Sequence, residues 1–202
     1  MRGYSGDRFL ITSDGFELGD MSNTTADHAV SMEISAADGV EVMRGPETLA
    51  YGSNTIGGII NIITPFKNLK KLSSTNYKLL FGHESSNQSN LIGSDVNIPL
   101  NDYQLAISLN NRSTNDQSSP IGTLENTALE KNDLTLNLTK FGEKDLITIE
   151  LKDFSMDYGI PGSPEGHIDG VDLALKNQTQ KLKYHSDIDL LSFNILDLEQ
   201  GY

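Results

Sequence analysis

Histidine and carboxylate are the side chains of this sequence best suited to bind something. The histidines are His28, His83, His167 and His185. Asp27 adjoins His28, and Glu165 and Asp169 flank His167. Neutral imidazole and carboxylate suit Zn²⁺, so Asp27, His28, Glu165, His167 and Asp169 are the candidate metal ligands. Adjacent residues on a strand point to opposite faces and seldom share an ion; on a loop they can converge. Either group would need further ligands, and the competing reading of each residue is a solvated loop position. His83, at a strand end, is the weaker candidate, and His185 reads as structural.

Other chemistry is excluded or unsupported. The absence of Cys removes disulfides, thiolate zinc sites and cysteine nucleophiles. Neither a GxSxG elbow nor an HExxH helix occurs, so nothing marks a hydrolase and no enzymatic activity is expected. With 15 Lys+Arg against 28 Asp+Glu, the 202 residues carry a formal charge of -13. That sign opposes a phosphate backbone, and no nucleic-acid partner is expected. No apolar run is long enough for a transmembrane helix. Membrane strands, which alternate in polarity, remain open.

The elements that would position these residues change character near Pro65. Before it, Phe9–Thr12 reads as a strand and Ser31–Ala37 as a short helix. The segment Val40-Glu41-Val42-Met43-Arg44-Gly45-Pro46-Glu47-Thr48-Leu49-Ala50-Tyr51-Gly52 continues as Ser53-Asn54-Thr55-Ile56-Gly57-Gly58-Ile59-Ile60-Asn61-Ile62-Ile63-Thr64. It reads as strand, sharp turn, short helix, glycine turn and second strand. Gly45 before Pro46 permits the reversal, Pro46 and Glu47 suit a first helical turn, and Gly52 suits its end.

After Pro65 the period is close to two. Tyr77, Leu79 and Phe81 share a face, as do Tyr103, Leu105, Ile107 and Leu109. Leu134, Leu136 and Leu138 alternate with Thr135, Asn137 and Thr139, and Ile147, Ile149 and Leu151 with Thr148, Glu150 and Lys152. Weaker runs cover Leu91–Leu100, Val171–Ser186 and Ile188–Leu198, making about seven strands. Short connections at Asn101-Asp102, Gly142–Asp145 and Ser186-Asp187 alternate with longer ones at Glu84–Asn90, Ser113–Asn132 and Asp157–Gly170. An outer-membrane barrel has this layout. A soluble antiparallel sandwich gives similar strands. The opposite face, rich in Asn, Thr, Ser and Gln, suits a wet lumen.

The segment from Val40 to Thr64 closely resembles the plug domain of TonB-dependent outer-membrane receptors. Its anchors are Glu41, Arg44-Gly45-Pro46, Tyr51-Gly52, Gly57-Gly58 and Asn61-Ile62-Ile63-Thr64. Met1-Arg2-Gly3 and Asp14-Gly15-Phe16 resemble further plug elements. The resemblance implies a mainly β fold: residues 1–66 as an α+β plug fragment, and residues 67–202 as the antiparallel first strands of an incomplete outer-membrane β-barrel. It implies a location in the bacterial outer membrane, contact with its lipid, a TonB-type energy-coupling partner, and uptake of a metal or metal-chelate ligand. No tightly bound cofactor is expected. Glu41 and Arg44 read either as polar contacts of the plug or as surface charges.

Within that family the chain is similar to a zinc-uptake branch. Asp27-His28-Ala29-Val30 and the run Tyr158-Gly159-Ile160-Pro161-Gly162 ahead of His167 carry the similarity. Zn²⁺ or another metal is thereby implied as the transported ligand. The alternatives are a siderophore-iron, haem or vitamin receptor of the same family, or a soluble β-rich binding module. Both ends read as cut, and relatives close their barrel with about 22 strands. The expectation is therefore a fragment of a longer receptor.

Overall fold

Branched residues at alternate positions favour strands throughout this chain, and the strands gather into separate sheets. The computed structural model describes residues 9–18, 30–51, 55, 57–66, 69–163, 168–186 and 196–201. Two compact units result, Met1–Leu69 and Lys70–Tyr202.

In the first unit, β1 (Leu10–Ser13), β2 (Phe16–Glu17), β3 (Gly39–Met43) and β4 (Ile59–Ile63) form a sheet of order β2-β1-β4-β3. β4 is central, parallel to β1 and antiparallel to β3. A strand covered on both faces reads as a continuous apolar run rather than an alternating one. Ile59, Ile62 and Ile63 are accordingly buried, with Leu10, Met32 and Phe66. Full burial of such a side chain is worth about 1.5–3 kcal/mol.

The two short helices expected here are 3-10 turns, Ile34–Ala36 and Pro46–Tyr51. Glu33 caps the first, its Oε1 accepting from Ser35 N at 3.2 Å and Ser35 Oγ at 2.9 Å. Segments this short cannot recover the entropy of nucleating an α-helix, so the tighter i→i+3 turn suffices.

The second unit is a seven-stranded antiparallel sheet. Its members are β5 (Asn76–Glu84), β6 (Ser89–Leu100), β7 (Tyr103–Thr114), β10 (Leu129–Phe141), β11 (Asp145–Ile160), β12 (Val171–Ser186) and β13 (Leu196–Gly201). A separate hairpin, β8 (Gln117–Ser119) with β9 (Gly122–Leu124), lies between β7 and β10. The sheet order is β13-β12-β11-β10-β7-β6-β5, each strand beside its sequence neighbour in the sheet.

Three expectations about the connections are corrected; the one expected over Asp157–Gly170 begins only after Ile160, where β11 ends. The one expected over Glu84–Asn90 is a four-residue turn, Ser85 to Gln88, with Gln88 at φ 50°. The one expected over Ser113–Asn132 begins after Thr114, contains the β8–β9 hairpin and ends at Leu129. Ladder hydrogen bonds need backbone, not apolar side chains, so the strands continue past the apolar positions that announced them. The run Ile188–Leu198 is described only from Leu196 onward.

Polarity across this sheet is inverted relative to a water-soluble one. Tyr77, Leu79, Phe81, Ile147, Ile149 and Leu151 are exposed, Tyr77 at 76% and Phe81 at 70%. Asp133, Asn137, Thr139, Thr148, Glu150, Lys181 and Lys183 on the opposite face are buried. The polar face is therefore packed rather than wet along these strands. Its members satisfy one another: Thr139 and Thr148 hydroxyls lie 2.6 Å apart, and Lys152 Nζ is 3.0 Å from Asp133 Oδ2. Lys181 Nζ is 3.2 Å from Glu150 Oε1, both side chains only 4% exposed.

Candidate functional site

Asn61 holds the first sheet together from inside β4. Its Oδ1 accepts from Thr12 Oγ1 and from Gly15 N, each at 2.9 Å, and its Nδ2 donates to Glu41 Oε2 at 3.2 Å. One amide thereby reaches β1, the turn after it, and β3. It supplies a donor and an acceptor together, which no apolar residue of similar size can do. Beside it, Asp14 at φ 56° accepts from Thr64 N at 2.8 Å and Thr64 Oγ1 at 2.6 Å. The Asp14-Gly15 turn is thus fastened to the end of β4.

The remaining motif positions serve the turn between β3 and β4. Gly45 has φ 95°, and its carbonyl accepts from Thr48 N at 3.1 Å and Thr48 Oγ1 at 2.8 Å. Thr48 and Thr55 also exchange bonds, Thr55 Oγ1 donating to Thr48 O at 3.1 Å and Thr48 Oγ1 approaching Thr55 O at 3.4 Å. Pro46 opens the 3-10 turn, and Tyr51 closes it half-buried. Gly57 and Gly58 are buried, Gly58 at φ 118°. Arg44 is exposed; Glu41, also exposed, has the Asn61 bond. Gly52 lies outside the described residues, as do Met1, Arg2 and Gly3.

Gly45 offers a clean test of this turn. Nothing lies within 4 Å of a Cβ added there, so strain at positive φ is the only penalty. Gly45→Ala is expected to destabilise the first unit by about 1–2 kcal/mol, read as faster amide exchange in β3 and β4 of the full-length protein.

Of the candidate metal ligands, Asp27, His28, Glu165 and His167 lie outside the described residues. Asp169 is exposed in a turn before β12. Among the described residues, no group of three or more His, Cys, Asp or Glu side chains is placed to hold a metal ion. His83, near the end of β5, has Nδ1 3.0 Å from Asn90 Oδ1. It lines a polar hollow of about 550 Å³ with Ser85, Gln88, Asn90, Ser113 and Asn115. His185 is half-buried within β12.

A second hollow, of about 460 Å³, is lined by Asn126, Glu130, Asp157, Tyr158, Gly159 and Asp172, among others. Register explains the gathering of charge: Glu130 pairs with Asp157 across β10 and β11, and Asp172 pairs with Gly159 across β11 and β12. Sequence reading singled out Tyr158-Gly159 but missed Asn126, Glu130 and Asp172. Only the register of β10 on β11 and of β11 on β12 brings those three to one place, and no local signal marks it.

The glycines of Tyr158-Gly159-Ile160-Pro161-Gly162 have a steric reason. A Cβ at Gly159 would lie 2.6 Å from Asn126 O and from Asn126 Oδ1. One at Gly162 would collide with the carbonyl of Ile168. Both positions accept backbone or amide atoms where a side chain would stand.

Comparison with known proteins follows the same division. Residues 1–59 match the TonB-dependent receptor plug domain family. Among solved structures, the siderophore receptor PirA from Acinetobacter baumannii shares 18% identity at a TM-score of 0.73, covering 100% of this chain and 32% of its own. The copper transporter OprC shares 15% at 0.80, with coverage of 100% and 30%. The iron transporter FrpB from Neisseria meningitidis shares 16% at 0.73, with coverage of 96% and 33%. The chain thus spans about a third of the length of these proteins. Residues 1–59 match the plug domain of TonB-dependent receptors, and the chain as a whole has the fold of such a plug followed by part of its β-barrel.

Proposed function

We propose that this chain is the plug end and the first barrel strands of a bacterial outer-membrane receptor that imports a metal, bare or chelated, with a TonB-type energy-coupling partner. The observation that carries the reading is the inverted sheet. Tyr77, Leu79, Phe81, Ile147, Ile149 and Leu151 face outward while the Glu150–Lys181 pair is buried. In water that arrangement exposes a contiguous apolar surface. Against hydrocarbon it is the stable one, because a membrane barrel turns its apolar face to lipid. A plug-type unit on the same chain supports a gated pore. No catalytic step belongs to this function.

Zinc is the cargo favoured by the sequence, through Asp27-His28 and Tyr158-Gly159-Ile160-Pro161-Gly162. A ferric siderophore is the second reading, favoured by the likeness in fold to PirA, a siderophore receptor. Deleting the full-length gene and following uptake of labelled zinc and of a labelled ferric siderophore separates them. Loss of zinc uptake, restored by the native gene but not by one carrying Asp27→Ala and His28→Ala, supports zinc. Loss of ferric siderophore uptake alone supports the second reading. Unchanged uptake of both contradicts both cargo readings.

A further inference from the structure

The outward face of the seven-stranded sheet carries its apolar side chains as a band with two edges. One edge is a line of exposed polar pairs, each directly opposed across two strands. His83 Nδ1 lies 3.0 Å from Asn90 Oδ1 across β5 and β6. Asn111 Nδ2 donates to Asn132 Oδ1 at 2.8 Å across β7 and β10. Gln178 Nε2 donates to Asp153 Oδ2 at 2.6 Å across β11 and β12. The other edge carries Tyr103 and Tyr184, with Lys140 Nζ 6.0 Å from the centre of the Tyr103 ring. Between the edges, no outward position of β5, β6, β7, β10, β11 or β12 is charged, and Ser94 and Gln180 are the polar exceptions. Exposed carboxylates return just past the line, at Glu130 and Asp157.

The line does not follow the register of the sheet. Asn111 and Asn132 are in register with Ile92 and Phe81, which are still apolar and exposed. Asp153 is in register with Leu134 and Leu109, which are apolar and exposed too. From one polar pair to the next, the line moves two residues for every two strands. That is about 7 Å along the strands for about 10 Å across them, a slope of about 35°. Strands of a membrane barrel tilt by roughly 35–45°. A boundary parallel to the membrane must therefore cross their register at the same slope. On β7, Tyr103 to Asn111 advances eight residues, about 27 Å of strand and about 22 Å after projection at this tilt. That is close to the roughly 25 Å height of a membrane barrel's apolar band.

We propose that this line is where the sheet leaves the hydrocarbon of a lipid bilayer: His83–Asn90, Asn111–Asn132 and Asp153–Gln178 lie at one headgroup layer, Tyr103 and Tyr184 at the other, and the strands cross between them at about 35°. The inference rests on the receptor function proposed above and adds the depth of each outward residue. Cross-strand pairing suits the first edge, because each side chain meets part of its partner's hydrogen-bonding capacity beside a medium that supplies none. Tyrosine suits the second, with its ring in hydrocarbon and its hydroxyl among headgroups.

The test places spin labels on single cysteines of the full-length protein in phosphatidylcholine vesicles. Depth is read from the contrast between collisions with oxygen and with a water-soluble nickel chelate. This chain contributes no native Cys to confuse the labelling. His83→Cys, Asn132→Cys and Asp153→Cys are expected to report one depth, within about 2 Å. Leu109→Cys, in register with Asp153 by way of Leu134, is expected to lie about 5 Å deeper than Asp153→Cys. Where a variant lacks heat-modifiable gel mobility, the label moves to the cross-strand partner, Asn90, Asn111, Gln178 or Leu134. Equal depths at Leu109 and Asp153, with His83 well outside both, overturn the tilted boundary and leave the receptor function intact. Equally aqueous labels at all four positions overturn the membrane placement, and the receptor function with it.

Discussion

Glu150→Leu is expected to destabilise the full-length protein by about 3–5 kcal/mol, because it leaves the Lys181 ammonium buried without its carboxylate. The two groups stand opposite each other on β11 and β12, 3.2 Å apart and each 4% exposed. At the surface such a pair is worth about 1 kcal/mol or less. Out of water the desolvation of each charge is large, and the partner offsets it. Lys181→Met alone is expected to cost a similar amount for the mirror reason. The double variant Glu150→Leu, Lys181→Met is expected to recover most of the loss, since it removes both charges from the packed face. Thermal unfolding followed by heat-modifiable gel mobility reads all three. If each single variant loses less than about 1 kcal/mol, the pair is solvated in the intact protein, and the packed polar face described above is wrong.

In the first unit, Asn61→Leu is expected to lower stability by about 3 kcal/mol, through three groups losing their partner. Gly15 N and Thr12 Oγ1 lose their acceptor, and Glu41 Oε2 loses its donor. Leucine keeps the branching and heavy-atom count of asparagine but is bulkier, so no cavity forms and the effect combines lost hydrogen bonds with crowding at a buried site. Asn61→Asp separates the two halves of the amide. It keeps the acceptor for Gly15 and Thr12 but sets a carboxylate against Glu41, and is expected to weaken the unit as pH rises through the carboxylate range. Amide exchange across β4 in the full-length protein distinguishes the variants. Native exchange in Asn61→Leu would remove this residue from its central role.

Much of this was legible from residues in sequence order. Leu134, Leu136 and Leu138 against Thr135, Asn137 and Thr139 announced a two-faced strand, and β10 runs through all six. Gly45 before Pro46 announced a sharp reversal, and the backbone has φ 95° there. Both signals are local: side-chain alternation follows from the pleat, and positive φ follows from the missing Cβ. The expected helices at Ser31–Ala37 and Pro46–Ala50 came out as 3-10 turns, because propensity marks a turn without specifying how tightly it winds. Glu84–Asn90 looked like a long loop because its side chains are polar, although the backbone ladder ends only at Glu84 and resumes at Ser89.

By itself, then, the sequence determined a mainly β chain, a glycine-punctuated plug motif and strands with one apolar and one polar face. The tertiary structure alone decided that the polar face is packed rather than wet, that Glu150 meets Lys181, and that Asn126 reaches Ile160 and Val171. The reason is the range of the forces involved. Period-two alternation arises between neighbours along one strand. Which residues meet across strands depends on register, which turns and ladders set over long stretches of chain. A polar face, moreover, can be buried only where register supplies its charges with partners.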